Sequence, residues 1–151
     1  MTNLEFAALY NREVSKVISE VNAYSSEEQM WVVLPGTINS AGNLVQHLIG
    51  NLRTYIGLVL GNVPYERDRD AEFGKRLFTK TELLSELQLL QTILADTLEG
   101  LSAEDLLIEY PHDIRSTFTN QPVSMILTHL LIHLGYHLGQ INYHRRFVCA
   151  S

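Results

Sequence analysis

Cysteine is nearly missing from this sequence of 151 residues: Cys149 stands alone. A lone cysteine closes no disulfide within the chain, which excludes the small stapled scaffolds of secreted proteins. Its place close to the last residue reads as part of a frayed tail rather than as a nucleophile. Basic residues are also few, 11 Lys+Arg against 17 Asp+Glu, for a net charge of −6. A nucleic-acid binder needs a basic face, so that class is set aside. No apolar run approaches the ~20 residues of a membrane span. The opening MTNLEFAALYNRE has no basic stretch followed by an apolar one, so no secretory signal is expected and the expected location is cytoplasmic. Internal repeats, low-complexity tracts and βαβ alternation are missing as well.

What remains is a chain with 46% hydrophobic residues, long enough to bury roughly 70% of its unfolded surface. One domain over residues 1–151 is expected. Its periodicity is helical. From Glu5 to about Ala23, Tyr10, Val14, Val17, Ile18 and Val21 recur at spacings of three and four. A short apolar run, Met30 to Leu34, ends at the Pro35-Gly36 turn. A second long helix starts near Ile38 to Ser40, with Asn39 or Ser40 as cap, and runs to about Leu60. On it Leu44, His47, Leu48, Asn51, Tyr55 and Leu58 share a face. Tyr65 to Phe73 is charge-rich and reads as irregular, solvated or paired with itself. Thr79 and Glu82 form a capping box, with Phe78 and Leu83 as a hydrophobic staple, for a leucine-striped helix to about Glu99. Ser102 to Asp105 reads as one further turn, and Leu107 to Thr119 as a loop with an extended stretch. The last helix begins near Asn120, with Pro122 in its first turn, and runs to about Phe147. Four long amphipathic segments predict an all-α four-helix bundle.

The histidines carry the chemistry. Thr128 to Arg146 reads THLLIHLGYHLGQINYHRR. His129, His133 and His137 step by four, and His144 follows by seven, so all four lie within about 80° of arc. Neutral imidazoles at i and i+4 can aim at one ion without bending the helix. Two ligands from one helix leave a site incomplete, and His47 is the only histidine on the other long segments. His47, His133 and His137 with an open position make the pattern of a catalytic metal site. Lone helical histidines are commonly hydrogen-bonded structural residues, and His129, His144 and the loop residue His112 are read that way by default. Asn51, one turn after His47, and Gln140, one turn after His137, are candidates to orient a ligand or substrate. Gly139 is read as permitting close helix packing. Glu109 and His112 have a di-iron-like spacing, but Pro111 between them argues against a helix. Phosphate loops, nucleophile elbows and His-Glu-x-x-His are not found.

With these residues in view, the chain resembles the DinB/YfiT-like superfamily of metal-binding four-helix bundles. The resemblance rests on His47 in NLVQHLIGNLR and on His133, His137, Gly139 and Gln140 in HLGYHLGQINYHRR. The segment RDRDAEF is similar to an uncharacterised branch of that superfamily. The resemblance implies a divalent metal, nickel or zinc, on three histidines, and a homodimer. It also implies a thiol-dependent S-transferase with a low-molecular-weight thiol as co-substrate, in the manner of bacillithiol S-transferases and the mycothiol-dependent maleylpyruvate isomerase. A metal-dependent hydrolase, or a non-catalytic, dimeric, stress-associated bundle, are the alternatives. Many members carry Arg where this chain has Leu138. His129 is left open as a second-layer residue, an alternative ligand, or neither.

Overall fold

A computed structural model describes residues 1–111 and 119–150 of the chain. It is all-α, with six helices: α1 (Asn3–Ala23), α2 (Glu27–Met30), α3 (Ala41–Leu52), α4 (Arg69–Gly74), α5 (Lys80–Glu99) and α6 (Val123–Cys149). Between the described residues the only extended pairing is an isolated bridge, Glu109 to Pro122. His112, and with it the Glu109-to-His112 spacing, lies outside the described residues.

Local chemistry explains the helix ends. α1 begins at Asn3, two residues before the expected start. Thr2 is its cap: its Oγ1 accepts from the Glu5 N–H at 3.1 Å, and Glu5 Oε2 accepts from the Thr2 N–H at 2.7 Å. Ser40 caps α3, its Oγ accepting from the Asn43 N–H at 3.2 Å. Thr79 and Glu82 form the expected capping box of α5. α6 starts at Val123 rather than at Asn120, because Asn120 sits at φ 55°, which no α-helical residue adopts. The charge-rich segment is not irregular throughout. Asp68 Oδ1 accepts from the Ala71 N–H at 3.0 Å and thereby starts α4. The Ser102–Asp105 turn forms as expected, each side chain bonding the other's backbone N–H.

One departure changes a helix face. Beyond Leu52 the rod widens into a π-helical turn, Arg53–Leu58, with Val59 N–H donating to Thr54 O at 3.1 Å and Gly61 N–H to Ile56 O at 3.0 Å. A wide turn accommodates an extra residue and rotates everything after it. Ile56 is buried in place of the expected Leu58, which is exposed. Gly57 is needed here, since a Cβ would stand 2.9 Å from Ile93 Cγ2 on α5.

The four long helices share one hydrophobic core. α1 packs on α5 and α6, and α3 packs on α5 and α6, while the wide turn lies on α5. Tyr10 OH donates to Leu127 O at 2.6 Å, tying α1 to α6 from within that core. No helix among the described residues is long and apolar enough to cross a membrane. Exposed large apolar residues do not gather on the first two long helices. They gather on α6, at Met125, Ile132, Tyr136, Tyr143 and Phe147.

Candidate metal centre

α3 and α6 bring three histidines to one point. His47 Nε2 lies 3.2 Å from His133 Nε2, and His137 Nε2 lies 3.0 Å from the same atom. One ligand nitrogen from each of the three falls within 4.8 Å of the others. The rings meet edge to face, with planes 77° to 90° apart. Two nitrogens bound ~2.0–2.1 Å from one tetrahedral ion stand about 3.3 Å apart, so these separations suit a first-row cation.

The outer nitrogens fix which lone pairs face inward. His47 Nδ1 lies 3.1 Å from Glu72 Oε1. Arg67 Nη2, which only donates, is farther off at 3.3 Å; the nearer carboxylate only accepts, so Nδ1 carries the proton and Nε2 presents its lone pair. His137 Nδ1 donates to Gln140 Oε1 at 2.7 Å, with the same result. His133 Nε2 therefore stands between two lone pairs and has a proton for one of them at most. A cation resolves the conflict for all three. A second proton does not: burial first, then the neighbouring histidines and Arg67, pushes His133 down to about 3. Burial also lowers His137, reinforced by His47 and opposed by its bond to Gln140. Neutral imidazole is the ligand form, and the residues present fit a divalent metal.

Glu72 is the residue the sequence did not reveal. It is 3% exposed; of the two readings of its segment, solvated or paired with itself, the second holds at Glu72. Arg67 grips it in a fork, Nε to Oε2 at 2.8 Å and Nη2 to Oε1 at 2.9 Å. Burial alone would raise its pKa; the hydrogen bonds from Arg67 and His47 outweigh that and hold it below the ordinary carboxylate value. Gly50 makes room for it, since a Cβ there would overlap Oε2 and stand 2.7 Å from Cδ. Gln46 fastens the same helix by donating to Glu72 O and Lys75 O, both at 2.9 Å, and by accepting from the Leu77 N–H. Phe73 lies against His47, ring centroids 4.8 Å apart.

The remaining candidates divide. Asn51 is buried, and its Oδ1 has no hydrogen-bond partner among the described residues. His129 is half-buried and close enough to His133 to lower its pKa, but it is not in the cluster. His144 lies in the same arc of α6 yet serves the core. Its Nε2–H donates to Val32 O at 2.8 Å, and its Nδ1 lies 2.7 Å from Tyr24 OH, which donates to it. Gly139 does not serve helix packing among the described residues: none of them lies within 4 Å of where its Cβ would stand. His137 and Gln140 also face a cleft between α6 and the loop ahead of α3.

Fold and site together define a helical protein with a three-histidine cluster that can hold a metal ion. A family model described as "Protein of unknown function (DUF1572)" matches residues 4–151, and the chain belongs to that family. No curated protein matches it.

Proposed function

We propose that this DUF1572 protein is a DinB/YfiT-like four-helix bundle that binds one divalent ion, zinc or nickel, through His47, His133 and His137. Its proposed activity is metal-dependent S-transfer from a small thiol. The observation that carries the metal is the meeting of three Nε2 atoms at 3.0 and 3.2 Å, with the lone pairs of His47 and His137 turned inward. When bound, such an ion supplies a Lewis acid that favours a thiolate at neutral pH.

The chain's own residues have defined parts in this reading. Glu72 keeps the proton on His47 Nδ1, and Gln140 keeps the proton on His137 Nδ1. Arg67 holds Glu72 and brings a positive charge to 3.3 Å from His47 Nδ1. That charge comes from a different element than the arginine the superfamily often carries, because Leu138 is buried in the core. Asn51 Oδ1 is available to a bound group. Thiol transfer is proposed ahead of hydrolysis on the resemblance; among the described residues, Glu72, the carboxylate beside the cluster, is already occupied by Arg67 and His47.

Metal analysis of untagged protein tests the site. One ion per chain is expected, and its loss in both His47→Ala and His133→Ala. Absence of metal after reconstitution rejects the proposal. The loaded protein is then assayed against electrophiles with several small thiols. Turnover without thiol indicates a hydrolase, and no turnover with any pair indicates a non-catalytic metal protein.

The same reading carries a homodimer. It is supported by the exposed stripe of Met125, Ile132 and Tyr143 on α6 and by the uncovered Gly135 and Gly139 between them. Sedimentation at micromolar concentration decides it.

A further inference from the structure

The cleft beside His137 has a composition that selects its occupant. Its volume is about 670 Å³, which falls within the ~300–1,000 Å³ of small-molecule sites. Leu34, Ile38 and Leu44 form one wall, and Tyr136, Tyr143 and Phe147 of α6 form the other. Among the described residues, those that line it include no Asp, Glu, Lys or Arg. Its polar lining comes from His137, Gln140 and His144 on α6 and from Thr37 and Asn39 on the loop, and His137 is shared with the histidine cluster.

The loop wall is fixed by its sequence. Leu34-Pro35-Gly36-Thr37 closes a turn with Thr37 N–H donating to Leu34 O at 3.0 Å, and Gly36 takes the positive φ of 78° that this turn requires. Ile38, 89% exposed, projects from the far side of that turn, and Tyr143, 79% exposed, faces the cleft from α6. Apolar side chains at the mouth of a cleft lose water when an apolar body enters, at roughly 25 cal/mol per Å² buried. In the metal-free chain an anionic ligand would lose its hydration with no cation among the described lining residues to receive it.

The geometry points to this cleft as the seat of an uncharged small molecule with an aryl or alkyl body, held so that its polar end reaches the histidine cluster. Its part as the substrate site rests on the metal-dependent reading above; its capacity to bind does not. The selection also separates two co-substrates. An apolar electrophile belongs in the cleft, whereas a carboxylate-bearing thiol such as glutathione does not.

The test uses N-phenyl-1-naphthylamine, an uncharged probe that fluoresces in apolar surroundings, with the full chain in metal-free and cobalt-loaded form. Saturable binding at one site is expected in both forms. Tyr143→Glu and Phe147→Glu alter exposed residues and leave the fold intact by circular dichroism; each should weaken binding at least tenfold. Ile132→Glu, on α6 but outside the cleft, should not. 1-Naphthol should displace the probe from the metal-free chain, and glutathione should not. In the cobalt-loaded chain the naphthyl proton resonances should broaden, as the cleft adjoins His137.

Absence of saturable binding, equal losses in all three variants, displacement by glutathione, or sharp resonances beside bound cobalt would each overturn the inference. So would a cleft closed by a second copy, seen as probe binding that appears only when the protein is diluted to monomer. Failure of cobalt to bind, with probe binding and its variant pattern intact, removes the metal reading alone.

Discussion

Glu72 sets its Oε1 3.1 Å from His47 Nδ1 across 25 residues of sequence. The contact fixes the orientation of the imidazole on α3, and Arg67 fixes the carboxylate in turn. Groups that hold a ligand in this way are worth ~10–100-fold in metal affinity. Glu72→Gln should therefore weaken metal binding by about that factor while all three histidines remain, measured by competition with a chelating dye. Gly50→Ala should do the same by displacing the carboxylate, and should cost about 1–3 kcal/mol of stability through overpacking. An unchanged affinity in both variants would show that His47 is positioned without Glu72.

His133 and His144 share one arc of α6 but should behave oppositely. His133→Ala should abolish metal binding and change metal-free stability little. His144→Ala should retain the metal and lose about 1–3 kcal/mol, because Tyr24 OH and Val32 O are left without their partner. Urea denaturation beside metal analysis separates the two. Metal loss in His144→Ala with the fold intact would contradict the assignment.

The α1–α6 contact predicts a pH dependence. Glu20 accepts from Asn142 Nδ2 at 2.6 Å and pairs with Arg145 Nε. Burial raises its pKa, but the bonds from Arg145 and Asn142 outweigh that and lower it. The folded state thus binds fewer protons than the unfolded state below the ordinary value of 4.5. The contribution is complete above that pH and disappears as pH falls through the lowered folded value. Glu20→Gln should flatten the acid limb of a stability-against-pH curve and cost about 0.5–1 kcal/mol at pH 7. An acid limb of unchanged slope would exclude Glu20 as a contributor.

Asn51 offers a test of what its buried oxygen is for. With no partner for Oδ1 among the described residues, Asn51→Leu should leave metal-free stability unchanged or raise it by up to about 1 kcal/mol. In the enzyme reading the same variant should keep its metal and lose turnover. A clear loss of stability would show that the amide is bonded within the fold.

What the sequence disclosed follows from how local each signal is. The capping box at Thr79 and Glu82 lies within four residues, and the structure forms it as read. The pairing of His133 with His137 needs only the pitch of one helix. His47 could be added because few other histidines exist. Glu72 was hidden because its burial depends on Arg67, on the notch at Gly50 and on Gln46, which come together only after α4 folds back on α3. Charge-rich segments are solvated in most chains, and nothing within YERDRDAEF marks its last acid as different. His144 could not be separated from its neighbours by angle. Its distinction lies in Tyr24 and Val32, more than 100 residues earlier in the chain.

The wide turn at Arg53–Leu58 has a broader consequence. A straight α-helix can dedicate a given stripe to a single neighbour along its whole length. By taking in an extra residue, this rod changes its phase partway. Its first half turns His47 toward α6, and its second half lays Ile56 and Gly57 against α5. Deleting one residue within the turn would restore the regular pitch and swing the rest of the rod, to about Gly61, around the axis. The contact of Ile56 and Gly57 with α5 is thus encoded in a helical irregularity, while Arg67 returns to His47 from the non-helical stretch that follows.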